Sequence, residues 1–454
     1  MSEQQIDNAR ELLEQSNFFA ADPQVLADPY KYYKAANAQG PITQEPHFGV
    51  YLATNYRDIL EIERRHNDFS ACVAAVGPFA KGQVPEREDE ASCPFGKADM
   101  GGEMEEWRKT TQLNMIPVLT LDPPDHTEIR KLVNKLFTPQ RKEQVTPRLR
   151  QLAQELIDSF IAEGEVEWIA RYAGPYTYFV MNEVMDFPRA DEDVLRERFL
   201  KRHENEGLSM REQTARGTQA EEQDNPLEVS DDRMRQYLTE RRASPQNDVL
   251  SEIATARFAD GTLPEIDELV GISSVMYGAG QVTTTDLIGN AMRFLAINPE
   301  LQERLREHPE EIESFVHEVL RIEPPVQGLF RYCLRDTQVN GTPVPAGAII
   351  WMVYGAGNRD PAQFEDPDKF QPTRENAYQG IAFGAGRHFC PGQPLAKLEA
   401  KITLEEVLRR MKNIRLKDKP EDIKFHDWFV VRGPNEMNIE FDVIEQSPAG
   451  MGIP

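Results

Sequence analysis

The 454-residue sequence predicts a mainly α protein with a small β region, folded as a single domain. Three observations carry that expectation. Apolar residues recur at helical spacing along most of the chain. The run between Pro264 and Pro299 holds no proline and reads as one helix of about 33 residues, or about 50 Å. No Gly/Ser-rich linker and no internal repeat divides the chain.

Taken in order, residues 29–36 and 56–65 read as helices, with 49–54 as a short strand between them. Residues 67–121 read as irregular, because Gly and Pro recur around the acidic patch Glu86-Arg-Glu-Asp-Glu90. A loop of that length inside a compact domain is usually functional or mobile. Residues 206–225 form a second polar stretch, equally loose, which reads either as a functional segment or as a disordered surface insertion. Ordinary helices run 8–20 residues, so the long one after Pro264 is expected to cross the molecule. Its middle, Tyr277-Gly-Ala-Gly-Gln-Val-Thr-Thr-Thr285, holds two glycines and three β-branched threonines, all poor helix formers. A bend that admits a ligand is expected there. Alternation around Gly341-Thr-Pro-Val-Pro-Ala-Gly347 predicts short strands, and residues 425–443 a hairpin turning at Arg432-Gly-Pro-Asn435.

Composition excludes several function classes. A net charge of −25 argues against nucleic acid and anionic membrane as partners. No apolar run approaches the ~20 residues that span a bilayer, and the polar start Met1-Ser-Glu-Gln-Gln-Ile-Asp7 resembles neither a signal peptide nor an anchor. The four cysteines, Cys72, Cys93, Cys333 and Cys390, show no C-x-x-C spacing, which points to a reducing compartment. A cytoplasmic protein is expected.

The densest signal is Phe383-Gly-Ala-Gly-Arg-His-Phe-Cys-Pro-Gly392, which runs into a helical stretch over residues 393–410. Cys390 then sits just outside a helix N-terminus, where free N–H groups and the macrodipole favour a thiolate. Pro391 suits a first helical turn. A lone cysteine is more often buried and inert, and a phosphate-binding glycine loop would need a following Lys-Ser/Thr that is missing here.

Phe383, Gly386, His388, Cys390 and Gly392 resemble, position for position, the haem-binding loop of the cytochrome P-450 family. The resemblance implies a cytochrome P-450 fold with haem b (iron protoporphyrin IX) and Cys390 as the thiolate ligand of its iron. His126 and Arg130, four apart in Asp122-Pro-Pro-Asp-His-Thr-Glu-Ile-Arg130, match the family's propionate-binding helix; Arg331 and His388 match two further propionate cations. Glu318, Arg321 and Arg374 match a buried Glu–Arg–Arg cluster that steadies the cysteine loop. Ala279-Gly280-Gln281-Val282-Thr283 resembles the oxygen-activation segment, in which Gly280 would leave room for O2 and Thr283 would relay a proton. Val282 departs from the pattern, which has an acid there. Another proton route, loss of reducing equivalents as peroxide, or a different reaction each fits that departure.

The implied activity is that of a soluble, bacterial-type haem-thiolate monooxygenase. It would insert one atom of O2 into a small apolar organic substrate, with electrons from a separate ferredoxin and reductase. The same fold also supports oxidative coupling, dehydrogenation or peroxide-driven oxidation. A reading from another class is a non-catalytic haem-thiolate binding or sensor protein. Between Glu128 and Arg150, seven basic residues stand against two acidic ones. That stretch is either a ferredoxin-docking face or an ordinary solvated helix face. Trp428 and Phe429 read as walls of an apolar substrate pocket or as core.

Overall fold

Helices dominate the computed structural model of this chain, which describes residues 3–75, 77, 117–188, 226–258 and 260–445. Most of the expected 67–121 loop and all of 206–225 lie outside the described residues, as does Cys93. The helices that position the site are α1 (Pro29–Gln39), α2 (Tyr56–Arg64), α3 (Asp125–Asn134), α4 (Pro139–Asp158), α5 (Gly174–Val184), α6 (Pro226–Ala243), α7 (Ile266–Ala296), α8 (Ile312–Ile322) and α9 (Gln393–Arg410).

The long helix α7 has 31 residues rather than about 33. Glu265 is extended at its start (φ −64°, ψ 150°), and Pro299 forces Asn298 out of the helical region at its end. Helical structure continues through Gly278 and Gly280. The apolar side chains of α7 bury against α5 and α9 in the main core, with Leu269, Leu287 and Leu295 almost fully enclosed. That core also takes Leu149 of α4 and Phe315 of α8, so five helices lock around one axis.

Short strands form the β region. A five-stranded sheet has the order β1 (Ile42–Gln44), β2 (Tyr51–Ala53), β8 (Ile349–Val353), β5 (Gly328–Cys333) and β3 (Phe69–Ser70). Only β2 and β8 pair in parallel within it; Phe330 of β5 faces Trp351 of β8. Strands β6 (Thr337–Val339) and β7 (Thr342–Val344) form a hairpin closed by Asn340 and Gly341, both at positive φ as a two-residue turn requires. β4 (Glu165–Glu167), β10 (Asn438–Val443) and β9 (Met411–Leu416) make a third sheet.

Two expectations change here. Residues 425–443 are not one hairpin, because β10 pairs with β4 and β9. Residues 424–435 form a smaller loop in which Gly433 and Pro434 lie opposite His426 and Phe425, so the reversal falls before Arg432. Phe429 is core: it packs edge-on against Phe19 and Trp351 in an aromatic cluster with Phe18 and Phe330. Trp428 is partly buried against the same cluster. Among the described residues no helix is long and apolar enough to cross a membrane.

Candidate functional site

The cysteine loop is shaped by its glycines. Gly384 and Gly386 have φ of 67° and 65°, a region costly for any residue with a Cβ. A Cβ on Gly386 would also lie 2.7 Å from the Glu63 carbonyl oxygen of α2. The Cys390 N–H donates to the Phe383 carbonyl at 3.0 Å, closing the loop. Helix α9 begins at Gln393 with Pro394 in its first turn; Pro391 lies before the helix, not within it. The Gly392 and Gln393 N–H groups aim at the Cys390 sulfur. Burial pushes the Cys390 thiol above its ordinary pKa, while the Gly392 N–H, the Arg130 charge and the Gln393 N–H oppose it. These three are the groups that would stabilise a thiolate once a metal replaced the proton.

Basic groups gather beside this loop. Arg130 of α3 donates to the Phe389 carbonyl, next to Cys390. One turn earlier His126 packs its ring 4.1 Å from that of His388. Burial, then Arg130, pulls His126 down to about 4; burial, then Arg331 and His126, pulls His388 down to about 2. Arg387 adds to the positive potential at His126. Among the described residues the His126 Nε2 is buried with no hydrogen-bond partner, and the buried His388 ring meets only the Val118 backbone. A buried imidazole with an open nitrogen, in a pair of rings held neutral by surrounding cations, marks a place built for an anion. The paired carboxylates of haem b meet that requirement, so the residues present fit the group.

Arg331 of β5 lies close enough to His388 for its charge to lower that imidazole's pKa, and it is anchored from behind. Its guanidinium binds Glu63 at 2.6 Å, and the Tyr354 hydroxyl donates to the other Glu63 oxygen. Glu63, Tyr354 and Arg387 escaped the sequence reading, since nothing local ties α2 to β5. Among the described residues no cluster of three or more His, Cys, Asp or Glu could hold a bare metal ion.

The Glu318 cluster forms as expected and goes further. Arg321 binds Glu318 through Nε at 2.7 Å and Nη2 at 2.8 Å, and Arg374 reaches it at 3.2 Å. The spare guanidinium hydrogens hold the carbonyls of Asn358, Pro367 and Lys369. Asn358 in turn accepts from the Ile381 N–H at 2.7 Å, at the entrance to the cysteine loop. All three charged groups are buried.

On α7, Ala279 is exposed although it lies mid-helix, and a Cβ on Gly278 would meet nothing within 4 Å. The Thr283 hydroxyl donates to the Ala279 carbonyl at 2.7 Å. The space spared by Gly280 is taken by the Met181 sulfur of α5, 2.6 Å from where a Cβ would be. A thioether is flexible enough to move aside.

The basic stretch on α3 and α4 is largely committed to structure. Arg141 pairs with Asp186, Arg148 with Glu155 at 3.0 Å, and Arg150 with Glu405 and Glu406 at 2.5 and 2.9 Å. Among the described residues Lys135 and Lys142 form no ion pair and are exposed.

Residues 217–441 match the family model described as Cytochrome P450. The chain is 33% identical over 323 residues to cytochrome P450 107B1 of Saccharopolyspora erythraea, covering 71% of this chain and 76% of that protein. It is 34% identical over 325 residues to a mycinamicin IV hydroxylase/epoxidase of Micromonospora griseorubida, covering 71% and 79%. The substrate-free structure of CYP150A6 from Mycobacterium marinum superposes with a TM-score of 0.83 at 32% identity, over 95% of this chain and 100% of that one.

Proposed function

The chain belongs to the cytochrome P450 family, and from that premise we propose that it inserts one oxygen atom from O2 into a small apolar organic substrate. It is a haem b monooxygenase; the substrate class, the electron donor and the residue roles are the proposal. The observation that carries it is the Cys390 loop beside the buried His126–His388 pair and the cations around it. The relative named for hydroxylation and epoxidation of mycinamicin IV supports oxygen insertion over coupling or dehydrogenation.

Haem, when bound, supplies iron that activates O2, and a thiolate ligand favours O–O cleavage. Cys390 is the ligand, steadied by the Gly392 and Gln393 N–H groups. Arg130, His126 and His388 receive the propionate charge, while Arg331 reaches it from a fixed partnership with Glu63. Thr283 holds a hydroxyl proton against the Ala279 carbonyl and gives it up when the reacting oxygen needs it. Electrons come from a separate ferredoxin-type donor that meets Lys135 and Lys142 at the remaining basic face. The buried Cys333 thiol, which donates to the Arg335 carbonyl at 3.1 Å, supports a reducing, cytoplasmic setting.

Thr283→Ala is expected to lower product formed per NADPH consumed by about 10-fold, below a general acid's full contribution because water carries part of the relay. The assay uses a plant-type ferredoxin, its reductase, and whichever apolar compound gives the largest Soret shift. In the same assay Lys135→Glu/Lys142→Glu slows reduction at low salt, and high salt removes the difference. Unchanged coupling in Thr283→Ala removes that residue from the mechanism.

A further inference from the structure

Position 282 lacks an acid, yet the same helix carries a carboxylate one turn on. Ala279, Thr283, Asp286 and Asn290 follow the i, i+4, i+7, i+11 spacing that places them on one face of α7. Side chains three apart on such a face have Cβ atoms about 5–6 Å from each other, a gap that one water bridges. Val282 points about 100° away from Thr283. Asp286 is therefore better aligned with the Thr283 hydroxyl than a side chain at 282.

Asp286 is 1% exposed. Its Oδ1 accepts from His426 Nε2 at 2.8 Å, and its Oδ2 is buried with no hydrogen-bond partner among the described residues. An open acceptor on a buried carboxylate is costly and uncommon in a native fold. The surrounding chain is shaped to keep it: a Cβ on Gly433 would collide with Oδ1. The His426 N–H donates to the Gly433 carbonyl at 3.1 Å, fixing the loop that delivers the imidazole. That side chain remains 15% exposed while Asp286 is sealed, and its Nδ1 lies buried beside Asn435, so the pair links the 424–435 loop to the central helix.

We propose that Asp286 and His426 form the proton donor that serves Thr283 in place of the acid missing at position 282. The inference rests on the monooxygenase reading above. A proton passes from His426 Nε2 to Asp286 Oδ1. A half-turn about Cβ–Cγ then presents it to a water beside the Thr283 hydroxyl. Thr283 releases its own proton to the reacting oxygen and takes the one from water. One proton reaches His426 from solvent through the Nδ1 edge beside Asn435 for each that leaves Thr283, and no electrons move. Burial opposes a charged imidazole at 426, but Asp286, Asn435 and Asp427 outweigh it and raise its pKa. The ring thus holds a proton to give.

The test uses haem-loaded wild type, Asp286→Asn, His426→Gln and Asp286→Asn/Val282→Asp, with a plant-type ferredoxin and its reductase, without added substrate. Peroxide released per NADPH consumed is expected to rise about twofold or more in both single variants. Adding Val282→Asp returns it toward the wild-type value, which a purely structural loss would not do. Independently of turnover, an NMR titration of His426 should show its pKa falling in Asp286→Asn. Unchanged peroxide yields in the single variants, or a rise that Val282→Asp does not reverse, overturn the inference. If Asp286→Asn does not fold, His426→Gln decides, since its amide still donates to Asp286 but carries no mobile proton. Wild type that consumes no NADPH sinks the monooxygenase reading itself, whereas active wild type with indistinguishable variants sinks the dyad alone.

Discussion

Glu318→Ala is expected to yield chain that scarcely retains haem and unfolds with a loss of about 3–5 kcal/mol. The size follows from what is left behind. Arg321 is fully buried and Arg374 nearly so, and both take their charge balance from this one carboxylate. Alanine leaves two guanidinium groups uncompensated, far costlier than the loss of an exposed pair. The Gln371 N–H, at 2.8 Å from Glu318 Oε1, loses its acceptor too. Because Arg321 also clamps Asn358, and Asn358 holds Ile381, the disturbance reaches the loop that presents Cys390. Haem per chain and a urea titration check it. A stable, fully loaded variant would mean that the cluster is dispensable.

Glu323 is expected to matter almost as much and to leave a pH signature. It sits 5% exposed among Tyr30 at 2.6 Å, Arg432 at 2.7 Å and Arg293 at 2.9 Å. Burial alone would raise its pKa, but Arg432, Arg293, Arg359 and the Tyr30 hydroxyl together pull it from 4.5 to about 2. A depressed carboxylate stabilises the fold above its unfolded pKa and loses that contribution as pH falls through the folded value. The window runs from about pH 4.5 down to about 2, and the contribution at neutral pH is about 3 kcal/mol. Glu323→Gln should be markedly less stable than wild type at pH 7, and the gap should narrow as pH drops below 4.5. Parallel stability curves for the two proteins across that range would contradict the assignment.

These two clusters show which features a sequence reveals. Glu318 and Arg321 are three residues apart on one helix, and His126 and Arg130 four apart, so spacing puts each pair on one helix face and the family resemblance supplies its role. The Cys390 loop is a ten-residue pattern with its conformational requirements written in glycines. Glu323 meets Tyr30 across 293 positions, Glu63 meets Arg331 across 268, and Asp286 meets His426 across 140. No periodicity encodes such pairings; they exist only once β5, α2, α7 and the 424–435 loop have packed. Asp286 did carry a faint signal, as the carboxylate in the apolar second half of α7. The basic stretch on α4 shows the same limit for charge. Counting charges cannot tell that Arg141 and Arg150 are spent on Asp186, Glu405 and Glu406.

The central claim is that Cys390 presents its sulfur to haem iron. The direct measurement is the absorption spectrum of the dithionite-reduced, carbon monoxide-bound protein, for wild type and Cys390→His. Wild type is expected to show the long-wavelength Soret band of a thiolate-ligated haem. Cys390→His should move that band to the shorter wavelength of a haem with a neutral imidazole ligand, because the electron-donating anion is gone. A wild-type band already at the shorter wavelength, or a band unmoved by Cys390→His in haem-loaded protein, would contradict the assignment of Cys390.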